Sequence, residues 1–153
     1  MAIQILTPRR QLEYNSTMPS KTVLIIEDSV ELADTLHDML ELHGFKALKA
    51  TRGRDGLDLA LSEHPDLILL DIRLPDMSGY DVYNELRQDA WGISAKLMVL
   101  TASESLENIA KNINLPVKYV LFKPDTSIKL LVERIEERLI ETSTAAAEIL
   151  PQT

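Results

Sequence analysis

The chain has 153 residues, of which 45% are hydrophobic, and it carries a formal net charge of −8 at pH 7. This length suits one domain with one core and is too short for two ordinary domains. The acidic charge would repel a phosphate backbone, so we expect no direct binding to nucleic acid, and the absence of cysteine excludes disulfides and thiolate metal sites.

The two ends of the chain differ in composition from its middle. Residues 1–20 mix short apolar stretches with Arg9 and Arg10, and residues 142–153 are mostly small and polar. The apolar stretch at the start is too short for a signal peptide or a membrane span, so we expect a cytoplasmic protein with no membrane partner. We interpret both ends as flexible. The alternative is an added helix or a dimerising arm, which would make a homodimer and protect both ends from proteolysis.

Between residues 21 and 141, apolar runs alternate with helical patterns, which predicts alternating strands and helices. The predicted strands are Thr22–Ile26, Lys46–Ala50, Leu67–Leu70, Lys96–Leu100 and Tyr119–Phe122. The predicted helices lie near Val30–His43, Asp55–Glu63, Tyr80–Asp89, Leu106–Ile113 and Ser127–Ile140. Gly44 is placed to end the first helix in a left-handed conformation. Five such units predict an α/β fold, a flavodoxin-like doubly wound five-stranded parallel sheet with strand order 2-1-3-4-5 and five helices.

Acidic residues follow the first and third predicted strands. Glu27 and Asp28 come directly after one apolar run, and Asp71 comes directly after another. In the predicted order these strands are neighbours, and ligands bind outside the carboxyl ends of such strands. We therefore expect the three carboxylates to meet, with Thr101 from the fourth strand and Lys123 from the fifth at the same edge.

Three carboxylates in one crevice need a proton or a cation, because two of them about 4 Å apart repel by roughly 4 kcal/mol at an effective dielectric of about 20. Mg²⁺ suits a site with few carboxylates, since it keeps several waters and accepts a phosphate oxygen. Asp71 would then be the nucleophile for a phosphoryl group. Lys123 would supply positive charge, and the Thr101 hydroxyl would bond a phosphoryl oxygen. The predicted product is an aspartyl phosphate.

Each of these residues alone has a simpler explanation. Asp28 or Ser29 could cap the first helix. Asp76, Ser78 and Gly79 could serve only turn and cap chemistry. The functional interpretation depends on several such residues lying together at the ends of different strands.

The chain resembles the receiver domain of two-component response regulators, the CheY-like family, from about residue 21 to 141. The resemblance rests on four motifs in matching order and spacing: Val23-Leu24-Ile25-Ile26-Glu27-Asp28-Ser29, Asp71-Ile72-Arg73-Leu74-Pro75-Asp76-Met77-Ser78-Gly79, Val99-Leu100-Thr101-Ala102 and Lys123-Pro124. It implies a receiver domain at 21–141, with 1–20 and 142–153 as extensions. It also implies that a sensor histidine kinase or a phosphotransfer protein phosphorylates Asp71, and that a downstream protein target receives the output.

The resemblance further implies that Glu27, Asp28, Asp71 and the backbone carbonyl of Arg73 hold Mg²⁺. It implies a cis peptide between Lys123 and Pro124, which proline permits at modest cost.

The sequence departs from the family pattern at positions that are expected to pass the signal on to a target protein. The residues proposed for the chemistry at Asp71 follow the pattern. The family's usual aromatic position, three residues before the lysine, is occupied by Val120, and Tyr119 one place earlier points to the opposite face of a strand. Leu115-Pro116-Val117 replaces a common Gly-Ala pair, and Asp125 follows the proline.

We interpret the chain as a signalling module that catalyses only its own phosphorylation and dephosphorylation. One alternative is a magnesium-dependent phosphatase with the same nucleophile, which multiple turnover of a generic phosphoester would indicate. Another is an interaction domain that is never phosphorylated, which unchanged partner binding in Asp71→Ala would indicate.

Overall fold

Residues 20–103 and 105–141 are described in a computed structural model of the protein. The five strands are β1 (Thr22–Ile26), β2 (Lys46–Ala50), β3 (Leu67–Leu70), β4 (Leu97–Thr101) and β5 (Val120–Phe122). They form one parallel sheet in the order β2-β1-β3-β4-β5. The predicted sheet and strand order are therefore confirmed.

A helix follows each strand. The five helices are α1 (Val30–Leu42), α2 (Gly53–Glu63), α3 (Gly79–Leu86), α4 (Leu106–Asn112) and α5 (Ile128–Ile140). Short 3₁₀ turns occur at Gly92–Ser94, Val117–Tyr119 and Lys123–Asp125. Among the helices that the structure describes, none combines the length and the apolar character needed to cross a membrane.

The central strands β1, β3 and β4 are apolar except for Thr22 and Thr101, because the sheet is covered on both faces. Every side chain of β3 and of β4 is buried, which is the pattern of a parallel strand between two layers of helices. Helices α1 and α5 line one groove through Leu36, Met39 and Leu131. Helices α2 and α3 contact each other.

Some boundaries differ from the prediction by one to three residues, and tertiary contacts explain the largest shift. Helix α3 ends at Leu86 and does not reach Asp89, because the Asp89 carboxylate accepts hydrogen bonds from the N–H groups of Trp91 and Gly92 and turns the chain. Strand β4 runs one residue later than predicted and includes Thr101. Gly44 has φ +88°, which confirms its predicted left-handed conformation after α1.

The two extensions, apart from Ser20, lie outside the residues that the structure describes. Their predicted flexibility and the alternative dimerising arm therefore stay predictions.

Candidate functional site

The sheet brings the predicted acidic residues together at its carboxyl edge. Ile26 of β1 and Leu70 of β3 are partners in the parallel register, so the residues that follow them lie side by side. One carboxylate oxygen from each of Glu27, Asp28 and Asp71 lies within 4.8 Å of the other two. Glu27 and Asp71 are buried, whereas Asp28 is exposed. The cluster is thus a buried acidic pair that opens to solvent through Asp28.

Lys123 is the first residue after β5, and its side chain extends into this cluster. Its Nζ lies 2.8 and 3.0 Å from the two carboxylate oxygens of Glu27 and 3.0 Å from Oδ2 of Asp71. The lysine side chain is 22% exposed, and those of Glu27 and Asp71 are 4% and 5% exposed. Buried charges need partners of opposite sign with good geometry, and here one ammonium group serves two carboxylates.

The charges of the site remain unbalanced. The pKa of Glu27 is raised to about 7, because burial and the neighbouring Asp71 together outweigh the opposing effect of Lys123. Burial also disfavours the charged form of Lys123, but the hydrogen bonds to Glu27 and Asp71 outweigh it and raise the pKa of Lys123. The lysine therefore stays charged, and one positive charge faces three carboxylates. Such an oxygen-only donor set fits a hard divalent cation.

The loop after Asp71 folds back on it. The backbone N–H of Arg73 donates to Oδ1 of Asp71 at 3.2 Å, so each oxygen of this carboxylate has a hydrogen bond. Gly79 donates its N–H to the carbonyl of Ile72 at 2.7 Å. A Cβ at Gly79 would lie 2.5 Å from the Asp71 carbonyl oxygen, so only glycine permits this approach.

Thr101 lies at the same edge but is joined to a different group. It is 1% exposed, and its hydroxyl oxygen accepts a hydrogen bond from the N–H of Ser103 at 3.1 Å. Within residues 20–103 and 105–141, no hydrogen bond links it to Asp71 or Lys123. The structure therefore assembles the carboxylates and Lys123 directly and holds Thr101 at the end of β4, where the following loop bonds its hydroxyl.

Val120 and Tyr119, which depart from the family's usual aromatic position, differ in their place in the structure. Val120 begins β5 opposite Val99 of β4 and is buried. Tyr119 belongs to the preceding 3₁₀ turn, and the centroid of its buried ring lies 4.9 Å from Nζ of Lys118 and 5.2 Å from the guanidinium of Arg138. The Tyr119 ring is thus packed against α5.

The structure also shows the isomer of the peptide bond before Pro124 and the residue that caps α1. The described residues contain no cis peptide bond, so the expectation of a cis bond before Pro124 is wrong. Lys123–Asp125 instead forms a 3₁₀ turn on the trans isomer, which X-Pro bonds prefer. Ser29, and not Asp28, caps α1, because its hydroxyl accepts from the N–H of Leu32 at 3.3 Å.

Sequence reasoning missed the part played by Asp76. Its carboxylate accepts hydrogen bonds from the N–H groups of Gly53 and Arg54, at 2.7 and 2.9 Å, and so caps α2. Cap signals are sought in the residues next to a helix, and this cap comes from 22 to 23 residues away. The segment that contains Asp76 also provides a cap for the helix that follows it, since Ser78 and Asp81 form a capping box at the start of α3.

Comparison with known proteins gives the family. The family model of the response regulator receiver domain matches residues 23–136, which is more than half of the chain. The chain belongs to this family. Receiver domains are signalling modules of two-component systems, and their members generally bind Mg²⁺ at an acidic cluster such as the one described above.

Individual relatives and a solved structure agree with this membership. The chain is 40% identical over 70 residues to the polar-differentiation response regulator DivK of Brucella ovis, over 46% of this chain and 57% of DivK. It is 37% identical over 82 residues to Protein PilH of Pseudomonas aeruginosa, over 54% of this chain and 68% of PilH. The CheY-like receiver domain protein of Methanospirillum hungatei superposes with a TM-score of 0.70 at 28% identity, covering 79% and 94% of the two chains. The chain therefore spans little more than half the length of DivK.

Proposed function

We propose that this receiver domain is the phosphoacceptor in a two-component phosphorelay, with Asp71 as the phosphorylated residue. The observation that carries the proposal is the environment of the Asp71 carboxylate. It is buried, its two oxygens are held separately by Lys123 and by the N–H of Arg73, and two further carboxylates lie within 4.8 Å. A buried aspartate in an excess of negative charge is unfavourable for stability, and it is suited to bind a cation and a phosphoryl group.

The phosphoryl donor is a phosphohistidine on a sensor histidine kinase or a phosphotransfer protein. A bond forms between an Asp71 carboxylate oxygen and phosphorus as the bond from phosphorus to the partner's histidine nitrogen breaks. Lys123 orients the carboxylate and offsets negative charge during transfer. The Thr101 hydroxyl, which accepts from Ser103, retains its own proton and can donate it to a phosphoryl oxygen. Hydrolysis of the O–P bond then returns the free carboxylate and phosphate.

The cation is Mg²⁺, held by carboxylate oxygens of Glu27, Asp28 and Asp71 and by the backbone carbonyl of Arg73. When bound, Mg²⁺ supplies the positive charge that Lys123 alone does not provide. Glu27 must lose its proton to serve as a ligand, and its raised pKa of about 7 means that proton and metal compete near neutral pH.

The protein acts in the cytoplasm through contact with a downstream protein, and its catalysis is limited to its own phosphorylation and dephosphorylation. Its charge of −8 argues against nucleic acid as the direct target. Output begins at Thr101 at the end of β4, whose hydroxyl would contact the phosphoryl group and also accepts the N–H of Ser103 in the following loop.

Labelling with a small phosphodonor tests the proposal. Wild-type protein and Asp71→Asn are incubated with acetyl phosphate and Mg²⁺, and intact mass is measured over time. We expect one phosphoryl group on the wild type and none on Asp71→Asn, because the amide lacks the nucleophilic oxygen while keeping the shape of the side chain.

Beryllofluoride, which mimics the phosphoryl group, provides a second probe of the same aspartate. Equal labelling of the two proteins, or no response of the wild type to either reagent, would count against Asp71 as the phosphoacceptor. Chelation of Mg²⁺ by EDTA should abolish labelling in the wild type.

A further inference from the structure

The loop between β3 and α3 is closed at its base. Ile72 accepts the N–H of Gly79 at 2.7 Å, and Arg73 forms an antiparallel bridge with Ser78. The loop begins beside Asp71 and carries the Arg73 N–H that bonds the Asp71 carboxylate at 3.2 Å. Because the base is closed, the tip at residues 74–77 is joined on both sides to paired residues, Arg73 and Ser78.

The tip is fastened to the first turn of α2. Oδ1 of Asp76 accepts the N–H of Gly53 at 2.7 Å, and Oδ2 accepts the N–H of Arg54 at 2.9 Å. Arg52, which occupies the N-cap position of α2, makes no side-chain cap bond. The first two N–H groups of this helix are thus satisfied by a residue of the loop, and the loop tip acquires two charge-assisted hydrogen bonds.

Two further contacts accompany the hydrogen bonds of Asp76 to α2. Met77 packs so closely on Gly53 that a Cβ there would lie 2.4 Å from the Met77 Cγ. The guanidinium of Arg54 then pairs with both carboxylate oxygens of Glu85 in α3, at 2.9 and 3.0 Å. Helix α2, the loop tip and α3 are therefore linked in one unit beside the acidic cluster.

We propose that Asp76 is a positioning residue for the phosphoacceptor site. By capping α2 from the loop tip, it holds the Arg73 main chain against the Asp71 carboxylate, and so sets both the orientation of that carboxylate and the place of the Arg73 carbonyl. The consequence for phosphorylation rests on the proposed function, whereas the anchoring of the loop does not.

Hydrogen exchange in the metal-free protein tests the anchoring directly. The variants are Asp76→Ala, Asp76→Asn and the matched control Asp89→Ala, which also removes a carboxylate that accepts two backbone N–H groups, but at the opposite edge of the sheet. We expect the Arg73 amide to exchange about fivefold faster in Asp76→Ala. This is the change in an opening equilibrium that corresponds to the typical free energy lost with a helix cap. Asp76→Asn should restore part of the protection, since its amide oxygen accepts one N–H group.

The same amide should be unaffected in Asp89→Ala, although that variant loses stability. Unchanged exchange at Arg73 in Asp76→Ala would overturn the proposal, and so would equal acceleration in both alanine variants. Amides of Leu24 and Ile25 in β1 report whether each variant keeps its core.

Metal binding and labelling give the functional readouts. Calorimetry with Mn²⁺ as the probe should show about tenfold weaker binding in Asp76→Ala and wild-type binding in Asp89→Ala, because groups that orient a ligand affect metal affinity by such factors. With acetyl phosphate, Asp76→Ala should need about tenfold more Mg²⁺ for half-maximal labelling of Asp71.

These outcomes separate the two proposals. If the wild type is never labelled, the phosphoacceptor function fails, and exchange at Arg73 still decides whether Asp76 anchors the loop. If the wild type is labelled and Asp76→Ala matches it in Mg²⁺ dependence and Mn²⁺ affinity, the positioning role fails and the phosphoacceptor function stands.

Discussion

The two edges of the sheet use charged side chains in opposite ways. At the amino edge, the Lys96 ammonium donates to two carbonyls at the end of α5, at 3.1 and 2.7 Å, and Asp89 accepts two backbone N–H groups at 2.8 and 2.9 Å. At the carboxyl edge, Glu27, Asp71 and Lys123 face one another. The charges of Lys96 and Asp89 satisfy backbone groups, whereas those of Glu27, Asp71 and Lys123 mainly face one another.

This difference separates stability from function. A charge that completes the hydrogen bonds of a helix end or a turn stabilises the fold and needs no further partner. Carboxylates that are buried beside one another cost stability until something else binds, and burial together with the neighbouring Asp71 raises the pKa of Glu27 accordingly. Cation and phosphoryl chemistry therefore belongs at the carboxyl edge.

The largest expected effect comes from removing the lysine at each edge. Lys123→Met should lower the free energy of unfolding by about 3 kcal/mol without metal, because two buried carboxylates lose their shared partner. Lys96→Met should cost about 1–2 kcal/mol, since the two carbonyls lose hydrogen bonds to a charged donor. Urea unfolding at pH 8 measures both.

Added Mg²⁺ should distinguish the two variants further. It should recover part of the stability of Lys123→Met and none of that of Lys96→Met, since the carboxylate cluster found among the described residues lies at the carboxyl edge. Labelling by acetyl phosphate should fall in Lys123→Met and persist in Lys96→Met. Equal responses to Mg²⁺ would remove the distinction between the edges.

The elements that sequence predicted well are those whose signal is local. The run Leu67–Leu70 is apolar because a central parallel strand is buried on both faces. The meeting of Glu27 with Asp71 followed from strand order, since neighbouring parallel strands end at one edge. Ser29 stood beside Asp28 as a candidate cap, and only the hydrogen bond to Leu32 decided between them.

The features that sequence did not predict depend on contacts between distant segments. Nothing next to Asp76 indicates that it caps a helix more than twenty residues earlier. Helix α3 was predicted too long because it is followed by a turn in which Asp89 accepts two backbone N–H groups and Arg87 donates to the carbonyls of Gly92 and Ala95. The cis peptide at Pro124 was expected from family resemblance alone, and the structure has the trans isomer.

The pH dependence of stability should also differ between the edges. The folded pKa of Glu27 is raised from 4.5 to about 7. The stability that its neutral form provides is therefore complete below about pH 4.5 and is lost as pH rises through 7. In the metal-free protein, Glu27→Gln should remove this loss and become more stable than the wild type by on the order of 1–2 kcal/mol at pH 8.

Urea unfolding between pH 4.5 and 8 measures this difference, with Asp89→Asn as the control at the amino edge. The control should follow the wild-type pH profile at a lower level. If Glu27→Gln also follows the wild-type profile, the carboxyl edge carries no electrostatic cost and the contrast between the edges is lost.

The smallest expected effects separate two adjacent residues at the carboxyl edge. Ser29→Ala should destabilise by about 0.5–1 kcal/mol, because α1 loses its cap. Asp28→Ala should change stability by less than about 0.5 kcal/mol, since its exposed carboxylate caps nothing. Mn²⁺ affinity should show the reverse order, falling in Asp28→Ala and staying at the wild-type level in Ser29→Ala. If one variant lost both stability and Mn²⁺ affinity, a single side chain would serve both helix capping and metal binding. The carboxyl edge would then use its charged and polar groups to satisfy the backbone, as the amino edge does.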